Sequence, residues 1–240
     1  MTKETTAKGP KRFYKSVKCA EKNGLYSILL DDRPISTPAR APLAVPIKNL
    51  ADLMVQEWDA QVEEIDPETM PMTKRANTAI DRVKGREKEV VADIVSYAGA
   101  DLLCYRAESP QGLVENQCAL WDPILAWVKD ELGAPLNVQT GISHIEQPSE
   151  SLAAISNGLK DLDCFALTPL HTMTTLTGSA LLVLAHIRER LNPEDVWSAT
   201  HVDEDWQISK WGEDAEAQAR RVLRRTEFDE DVKFLKLVKQ

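Results

Sequence analysis

Hydrophobic and polar positions alternate near the start of the chain, with the period of two that is typical of β-strands. Phe13, Val17 and Cys19 share one face of a segment that ends at residue 21, and residues 25–30 form a second strand-like run. Asn23-Gly24 separates the two runs, and because both residues accept a positive φ, the pattern predicts a hairpin. Four prolines restrict the stretch that follows to edge strands and loops. Residues 11–46 are therefore predicted to form a small antiparallel β-layer.

The period changes to that of a helix from Asn49, which is predicted to be an N-cap. Further helices are predicted over residues 73–83, 87–97 and 113–132. After residue 148 the whole chain is predicted to be helical, with Ser179 and Asn192 as caps and Pro193 in a first turn. The helices predicted there cover residues 151–159, 164–176, 179–191, 194–201, 202–225 and 229–238.

These elements indicate an α+β protein with two parts. A small β-rich N-terminal domain over residues 11–105 is predicted, followed by a larger all-helical C-terminal domain over residues 106–240. A chain of 240 residues is long enough for one large domain or for two modest domains, each with its own core.

Charge and hydropathy narrow the classes of partner. The formal net charge is −9, which argues against a nucleic-acid surface, since phosphate binding needs clustered lysines and arginines. The most apolar run, residues 180–187, is far shorter than the ~20 residues that cross a bilayer, so no membrane insertion is expected. Residues 1–12 are polar and basic and do not resemble an export signal. The four cysteines have no metal-ligand spacing and are expected to be buried, reduced thiols.

No pattern of a catalytic, cofactor or metal site is present in the sequence. The ten glycines are too widely spaced for a phosphate-binding loop, and no histidines have the spacing of paired zinc ligands. The run Asp203-Glu204-Asp205 does not make a metal site on a helix, because successive side chains point about 100° apart. We therefore expect no catalytic residue, no metal and no cofactor.

The segment from His201 to Arg225 carries the most information about function. Its apolar residues fall at steps of three and four and predict one helical stripe, formed by Ile208, Trp211, Ala215, Ala219 and Val222. Glu204 lies on that stripe, where a carboxylate needs a partner or a purpose. Trp206 lies on the opposite, polar face as a candidate interface anchor. In the alternative interpretation the helix is buried on two sides and both tryptophans are core residues. The basic run of arginines 220, 221, 224 and 225 is interpreted as structural.

An ordered series of short motifs resembles the ATP synthase assembly factor family of the Atp-twelve type over about residues 11–225. The N-terminal motifs are Lys11-Arg12-Phe13-Tyr14, Asn23-Gly24, Thr37-Pro38-Ala39-Arg40, Gln56-Glu57-Trp58, Met70-Pro71-Met72-Thr73 and Asn77-Thr78-Ala79-Ile80-Asp81. The later motifs are Asp101-Leu102-Leu103-Cys104-Tyr105-Arg106, Gln117, Trp121-Asp122-Pro123, Gly178-Ser179, Glu204-Asp205-Trp206-Gln207 and Lys210-Trp211-Gly212.

The resemblance implies a non-enzymatic chaperone that binds the unassembled α subunit of the F-type ATP synthase and prevents its aggregation. It also implies a β-rich N-terminal domain and a helical C-terminal domain with functional acidic residues. The partner-binding residues predicted from it are Glu204, Asp205, Trp206, Gln207, Trp211, Glu213 and Glu216. We expect a monomer in a bacterial cytoplasm, which the short N-terminus favours, or in a mitochondrial matrix if the source is eukaryotic.

Two other functions stay open from the residues alone. One is a carboxylate-based hydrolase, which needs Glu204 to converge with Asp101 or Asp122 in a pocket. The other is a scaffold that stays in a permanent complex.

Overall fold

A computed structural model of the chain describes residues 10–239. Most of residues 1–12, which are not expected to form an export signal, lie outside this range. The described residues form two compact units. Unit 1 contains the residues up to Gly85, Cys164–Thr168 and the end of the chain from Lys233, and unit 2 contains Arg86–Asp163 and Pro169–Val232. Residues 86–105 thus belong to unit 2, although the sequence places them in the first domain. The predicted domain boundary at residues 105 and 106 stays a prediction.

The N-terminal part contains the small antiparallel β-layer that the sequence predicts, and this sheet has four strands. Its strands are β1 (Val17–Lys22), β2 (Leu25–Leu30), β3 (Arg33–Pro34) and β4 (Ala44–Val45). Asn23 and Gly24 connect β1 to β2 with φ angles of 55° and 75°, and Lys22 lies opposite Leu25. Both turn residues have the positive φ of a type I′ hairpin, so the predicted hairpin is confirmed.

Ten α-helices and one more strand pair account for most of the other described residues. The parallel pair is β5 (Tyr105–Arg106) with β6 (Gln139–Thr140). The helices are α1 (Lys48–Asp59), α2 (Pro71–Thr78), α3 (Glu87–Gly99), α4 (Gln111–Leu132), α5 (Ser149–Asn157), α6 (Cys164–Thr177), α7 (Ala180–Ile187), α8 (Pro193–Thr200), α9 (Val202–Trp211) and α10 (Ala215–Val238). The predicted α+β class, with a small β-rich N-terminal part and a larger helical C-terminal part, is confirmed. The two-residue strand β6 is an addition to the part predicted to be all-helical.

Local capping signals in the sequence account for the starts of two helices. The Ser179 hydroxyl accepts a hydrogen bond from the Leu182 amide at 3.1 Å and caps α7. Asn192 caps α8 by accepting from the Asp195 amide at 2.9 Å, and Pro193 follows in the first turn. Both predictions are confirmed. The prediction for Asn49 is wrong, because α1 begins one residue earlier and has no side-chain cap.

Each unit has its own buried core. In unit 1, Tyr14, Leu30, Ile65 and Met70 pack together, and the Tyr14 hydroxyl donates to the Trp58 carbonyl at 2.6 Å. In unit 2, the residues from Ala180 to Ala185 of α7 are all buried. None of the four cysteines forms a disulfide: Cys104 and Cys164 are buried as expected, but Cys19 and Cys118 are only half-buried.

Candidate partner-binding site

The acidic run predicted to bind a partner opens α9. The helix begins after His201, and Asp203, Glu204 and Asp205 fill its first turn. Their negative charges lie at the positive end of the helix dipole, where carboxylates stabilise a helix. The local sequence therefore explains why this helix starts here.

A break after Trp211 divides the segment that the sequence predicted as one helix. Gly212 has φ +83° and ψ 176°, a conformation that ends α9. Asp214 then accepts a hydrogen bond from the Ala217 amide at 2.8 Å, as an N-cap does, and α10 runs unbroken to Val238. The predicted helices over residues 202–225 and 229–238 are thus wrong in their bounds. The apolar stripe predicted from Ile208 to Val222 is not continuous, because it crosses the break.

The break creates a cleft of about 260 Å³ between the end of α9 and the first turns of α10. It contains four of the seven predicted site residues, namely Glu204, Gln207, Trp211 and Glu213. The other lining residues are Ile208, Gly212, Asp214, Ala217, Gln218 and Arg221. Of the remaining predicted residues, Asp205, Trp206 and Glu216 do not line the cleft.

Arg221 holds the two helices together at the inner end of the cleft. Its guanidinium lies 2.6 Å from the Asp205 carboxylate and 3.9 Å from that of Glu204. The Arg221 side chain is 20% exposed, whereas the two carboxylates are about half exposed. Asp205 therefore has a close structural partner, whereas Glu204 lines the cleft and is only at the limit of ion-pair distance from Arg221.

The buried ring of His201 lies behind Glu204. Its Nδ1 is 2.8 Å from the Trp197 carbonyl, and its Nε2 is 3.8 Å from the Glu204 carboxylate. Burial lowers the pKa of His201, and the charges of Arg221 and Arg224 lower it further, against the raising effects of the Trp197 hydrogen bond and Glu204. A neutral ring at pH 7 follows, with the Nδ1 proton donated to Trp197.

The two tryptophans differ in their surroundings. The half-buried ring of Trp206 packs on Gly112 of α4, and the Lys210 ammonium lies 4.5 Å from its centroid. Trp211 is 78% exposed at the cleft, so the alternative interpretation of both tryptophans as core residues is wrong for Trp211. Glu216 lies 2.6 Å from Arg220 on the exposed surface of α10. Trp211 is thus the aromatic residue with the most surface left for a partner.

The arginine run has structural partners, in agreement with its interpretation from the sequence. Beyond the Arg221 and Arg220 pairs, Arg225 contacts Glu194 and Asp229, and Arg224 donates to the Leu176 carbonyl. Arg221 and Asp214 are not among the site residues predicted from the sequence. The signal that could have found them is the Trp211-Gly212 pair, since a glycine within a helical pattern can mark its end.

The carboxylates of the alternative hydrolase have separate environments. Asp101 is fully buried and accepts from the Ser179 hydroxyl at 2.7 Å and from the Leu181 amide at 3.1 Å, and burial raises its pKa to about 6. Asp122 lies 2.7 Å from the Arg106 guanidinium. The cleft at Glu204 contains neither Asp101 nor Asp122, so the convergence that the hydrolase requires is absent from it.

Two other features are absent from residues 10–239. No described helix is both long and apolar enough to span a bilayer. Within the same residues, no three side chains of histidine, cysteine, aspartate or glutamate cluster in a way that could hold a metal ion.

The chain is similar to known proteins over nearly its whole length. A family model described as ATP12 chaperone protein matches residues 11–129. Protein atp12, mitochondrial, from Schizosaccharomyces pombe is 28% identical over 215 residues, which cover 84% of this chain and 74% of that protein.

Two crystal structures resemble this structure closely. Atp12 from Paracoccus denitrificans has a TM-score of 0.90 and 38% identity, and the match covers 95% of this chain and 98% of that one. Atu1473, a candidate chaperone from Agrobacterium tumefaciens, has a TM-score of 0.90 and 44% identity, with 95% and 86% of the two chains covered. Identity at this level over almost the entire chain shows that the protein belongs to the ATP12 chaperone protein family.

Proposed function

We propose that this protein is an assembly chaperone of the F-type ATP synthase that binds the unassembled α subunit and does no chemistry of its own. The observation that carries the proposal is the exposed Trp211 in a cleft whose rim holds the carboxylates of Glu204, Glu213 and Asp214. The protein acts as a monomer without a cofactor. Its compartment is a bacterial cytoplasm, or a mitochondrial matrix if the source is eukaryotic.

The composition of the cleft suits a transient protein interface. An unassembled subunit exposes apolar surface that its partner subunit would cover, and such surface aggregates. A chaperone can cover it with a central aromatic anchor surrounded by polar groups that fix the orientation. Trp211 has the exposed area of an anchor, and Gln207 and the carboxylates of Glu204 and Glu213 supply the polar groups.

The seven residues predicted from the sequence have different roles in this proposal. Contact with α comes from the four that line the cleft: Glu204, Gln207, Trp211 and Glu213. Asp205 positions the cleft through its 2.6 Å ion pair with Arg221, and Trp206 positions α9 through its packing on Gly112. Glu216 contributes charge at the periphery of the interface.

The experiment is a light-scattering assay of freshly diluted α subunit with an equimolar amount of this protein. Suppressed aggregation and a one-to-one complex on a sizing column are expected. Trp211→Ala should lose most of the suppression while the thermal unfolding midpoint stays within a few degrees, because an exposed ring adds little to stability. Ile142→Ala is the matched control, since Ile142 is 98% exposed and does not line the cleft.

Three outcomes would contradict the proposal or a part of it. If the wild-type protein neither suppresses aggregation nor elutes with α, the α subunit is not its client. If the complex forms but β subunit fails to release it, the protein is a permanent scaffold rather than a chaperone. If Trp211→Ala and wild type suppress aggregation equally, the contact with α lies outside the cleft.

A further inference from the structure

Strand β1 is an edge strand with a free side. It pairs with β2 over its full six residues, and no strand among residues 10–239 pairs with its other side. An edge of this kind presents a row of backbone donors and acceptors that another strand can use.

The hairpin register identifies which backbone groups point outward. In antiparallel pairs, every second residue forms its hydrogen bonds toward the neighbouring strand. Lys22 and Leu25 flank the two-residue turn as a bonded pair, and at the other end the Asp31 amide donates to the Ser16 carbonyl at 3.1 Å. Even-numbered residues of β1 thus face β2. The amides and carbonyls of Val17, Cys19 and Glu21 point away from it, and none of them has a hydrogen-bond partner among the described residues.

A groove of about 700 Å³ runs beside this part of the sheet, and helix α1 forms its other wall. The strand side is lined by Lys18, Cys19 and Glu21 of β1 and by Tyr26 of β2. Lys48, Asp52 and Val55 line the helix side, at spacings that place them on one helix face. The Lys48 ammonium lies 2.5 Å from the Asp52 carboxylate, so these two charges largely neutralise each other.

We propose that the groove between β1 and α1 binds an extended polypeptide segment, which adds to the sheet as a strand along the free edge of β1. The backbone groups of Val17, Cys19 and Glu21 supply the hydrogen bonds, as in other strand-addition complexes. Because strand side chains alternate between two faces, the segment has small apolar residues toward Val55 and polar residues toward solvent. This surface belongs to unit 1 and shares no lining residue with the cleft at Trp211.

The occupant is a different polypeptide rather than a second copy of this chain. β1 carries Lys18 and Lys22, and lysines on an edge strand disfavour pairing between identical edges. An unassembled or partly folded client presents unpaired strands, and the groove offers them a partner.

The first test is amide hydrogen exchange followed by NMR on the full chain. The probe is a seven-residue peptide that alternates valine with threonine and has a lysine at each end. In the free protein, the amides of Lys18, Ala20 and Lys22 should exchange slowly, and those of Cys19 and Glu21 quickly. Saturating peptide should slow exchange at Cys19 and Glu21 at least tenfold. Concentration-dependent protection of these two amides without peptide would overturn the proposal in favour of a second copy.

A second test uses two peptides that carry N-methyl groups on opposite edges. Methylation of the edge that faces β1 removes hydrogen bonds and should weaken binding ~5-fold or more, whereas methylation of the other edge should not. An equal loss of affinity with both methylated peptides would overturn the proposal. So would the absence of binding by the parent peptide at millimolar concentration, since backbone pairing does not depend on the peptide sequence.

Protein variants complete the test. Cys19→Pro removes one outward amide and no bond of the β1–β2 ladder, because proline is tolerated on the free side of an edge strand. It should weaken peptide binding severalfold, whereas Cys19→Val, which keeps the amide, should not. Thermal unfolding shows whether Cys19→Pro is folded, and the methylated peptides decide the question if it is not.

Discussion

The ring of Trp206 covers Gly112 so closely that a Cβ atom built on the glycine would lie 2.5 Å from the indole. No real Cβ tolerates that approach, so only glycine fits at this position of α4 while Trp206 keeps its place. The contact fixes α9, and with it one wall of the cleft at Trp211.

Gly112→Ala should therefore destabilise the protein by about 1–3 kcal/mol, the usual cost of overpacking, and weaken capture of α. The measurement is urea unfolding followed by the light-scattering assay. Gly99→Ala is the matched control in another helix, because its Cβ would meet only a leucine methyl at 3.9 Å. Gly99→Ala should leave the free energy of unfolding unchanged or raise it slightly. Equal effects of the two substitutions would show that the Trp206 contact does not position α9.

The Asp205–Arg221 ion pair should show measurable coupling between α9 and α10. A double-mutant cycle with Asp205→Asn and Arg221→Gln is expected to give about 0.5–1 kcal/mol, since the pair is partly exposed and water screens it. The cycle for Glu216 and Arg220, which are both exposed on one helix, is the control and should give less. A zero coupling for Asp205 and Arg221 would leave Asp205 free to act as a direct contact with α.

Removal of the buried Asp101 carboxylate should lower the free energy of unfolding. Asp101→Ala leaves the Ser179 hydroxyl and the Leu103 and Leu181 amides without their acceptor. A loss of about 2–4 kcal/mol in the free energy of unfolding is expected from these unsatisfied buried donors.

Asp101 also makes the stability of the protein depend on pH, and the direction of its pKa shift fixes the sign. Burial raises its pKa to about 6, above the ordinary value of 3.8, so the native state takes up this proton before the unfolded state does. Its contribution to stability is fully present below pH 3.8 and is lost as the pH rises through 6. The free energy of unfolding of wild type in urea should therefore exceed that of Asp101→Asn by more at pH 4.5 than at pH 7. A pH-independent difference would mean that Asp101 does not titrate in this range.

His201 should make the stability of the protein depend on pH with the opposite sign. Its pKa is lowered by burial, so the unfolded state takes up this proton first, and stability falls as the pH drops through 6.5. One proton limits the slope to about 1.4 kcal/mol per pH unit. His201→Gln should flatten the slope between pH 7.5 and 5.5. Glu204→Gln should steepen it, because the Glu204 charge favours the protonated ring. An unchanged slope in both variants would show that the pKa of His201 is the same in the native and unfolded states.

The sequence by itself determined the features that depend on neighbouring residues. The Asn23-Gly24 hairpin and the caps at Ser179 and Asn192 appear where the sequence predicts them. Each is a local matter, decided by a positive φ or by a side chain that accepts a hydrogen bond from the amide three residues further on. The α+β class followed from the change of period after residue 46, and the family from an ordered set of motifs.

Only the tertiary structure decided how the segment after His201 is used. A glycine in a helical pattern costs only ~1 kcal/mol, too little for the sequence to predict whether Gly212 continues the helix or breaks it. The break places Arg221 beside Asp205 and opens the cleft at Trp211. The two tryptophans look alike in a pattern of polar and apolar positions. They differ in the structure because Gly112, distant in sequence, packs against Trp206, whereas Trp211 remains exposed to solvent.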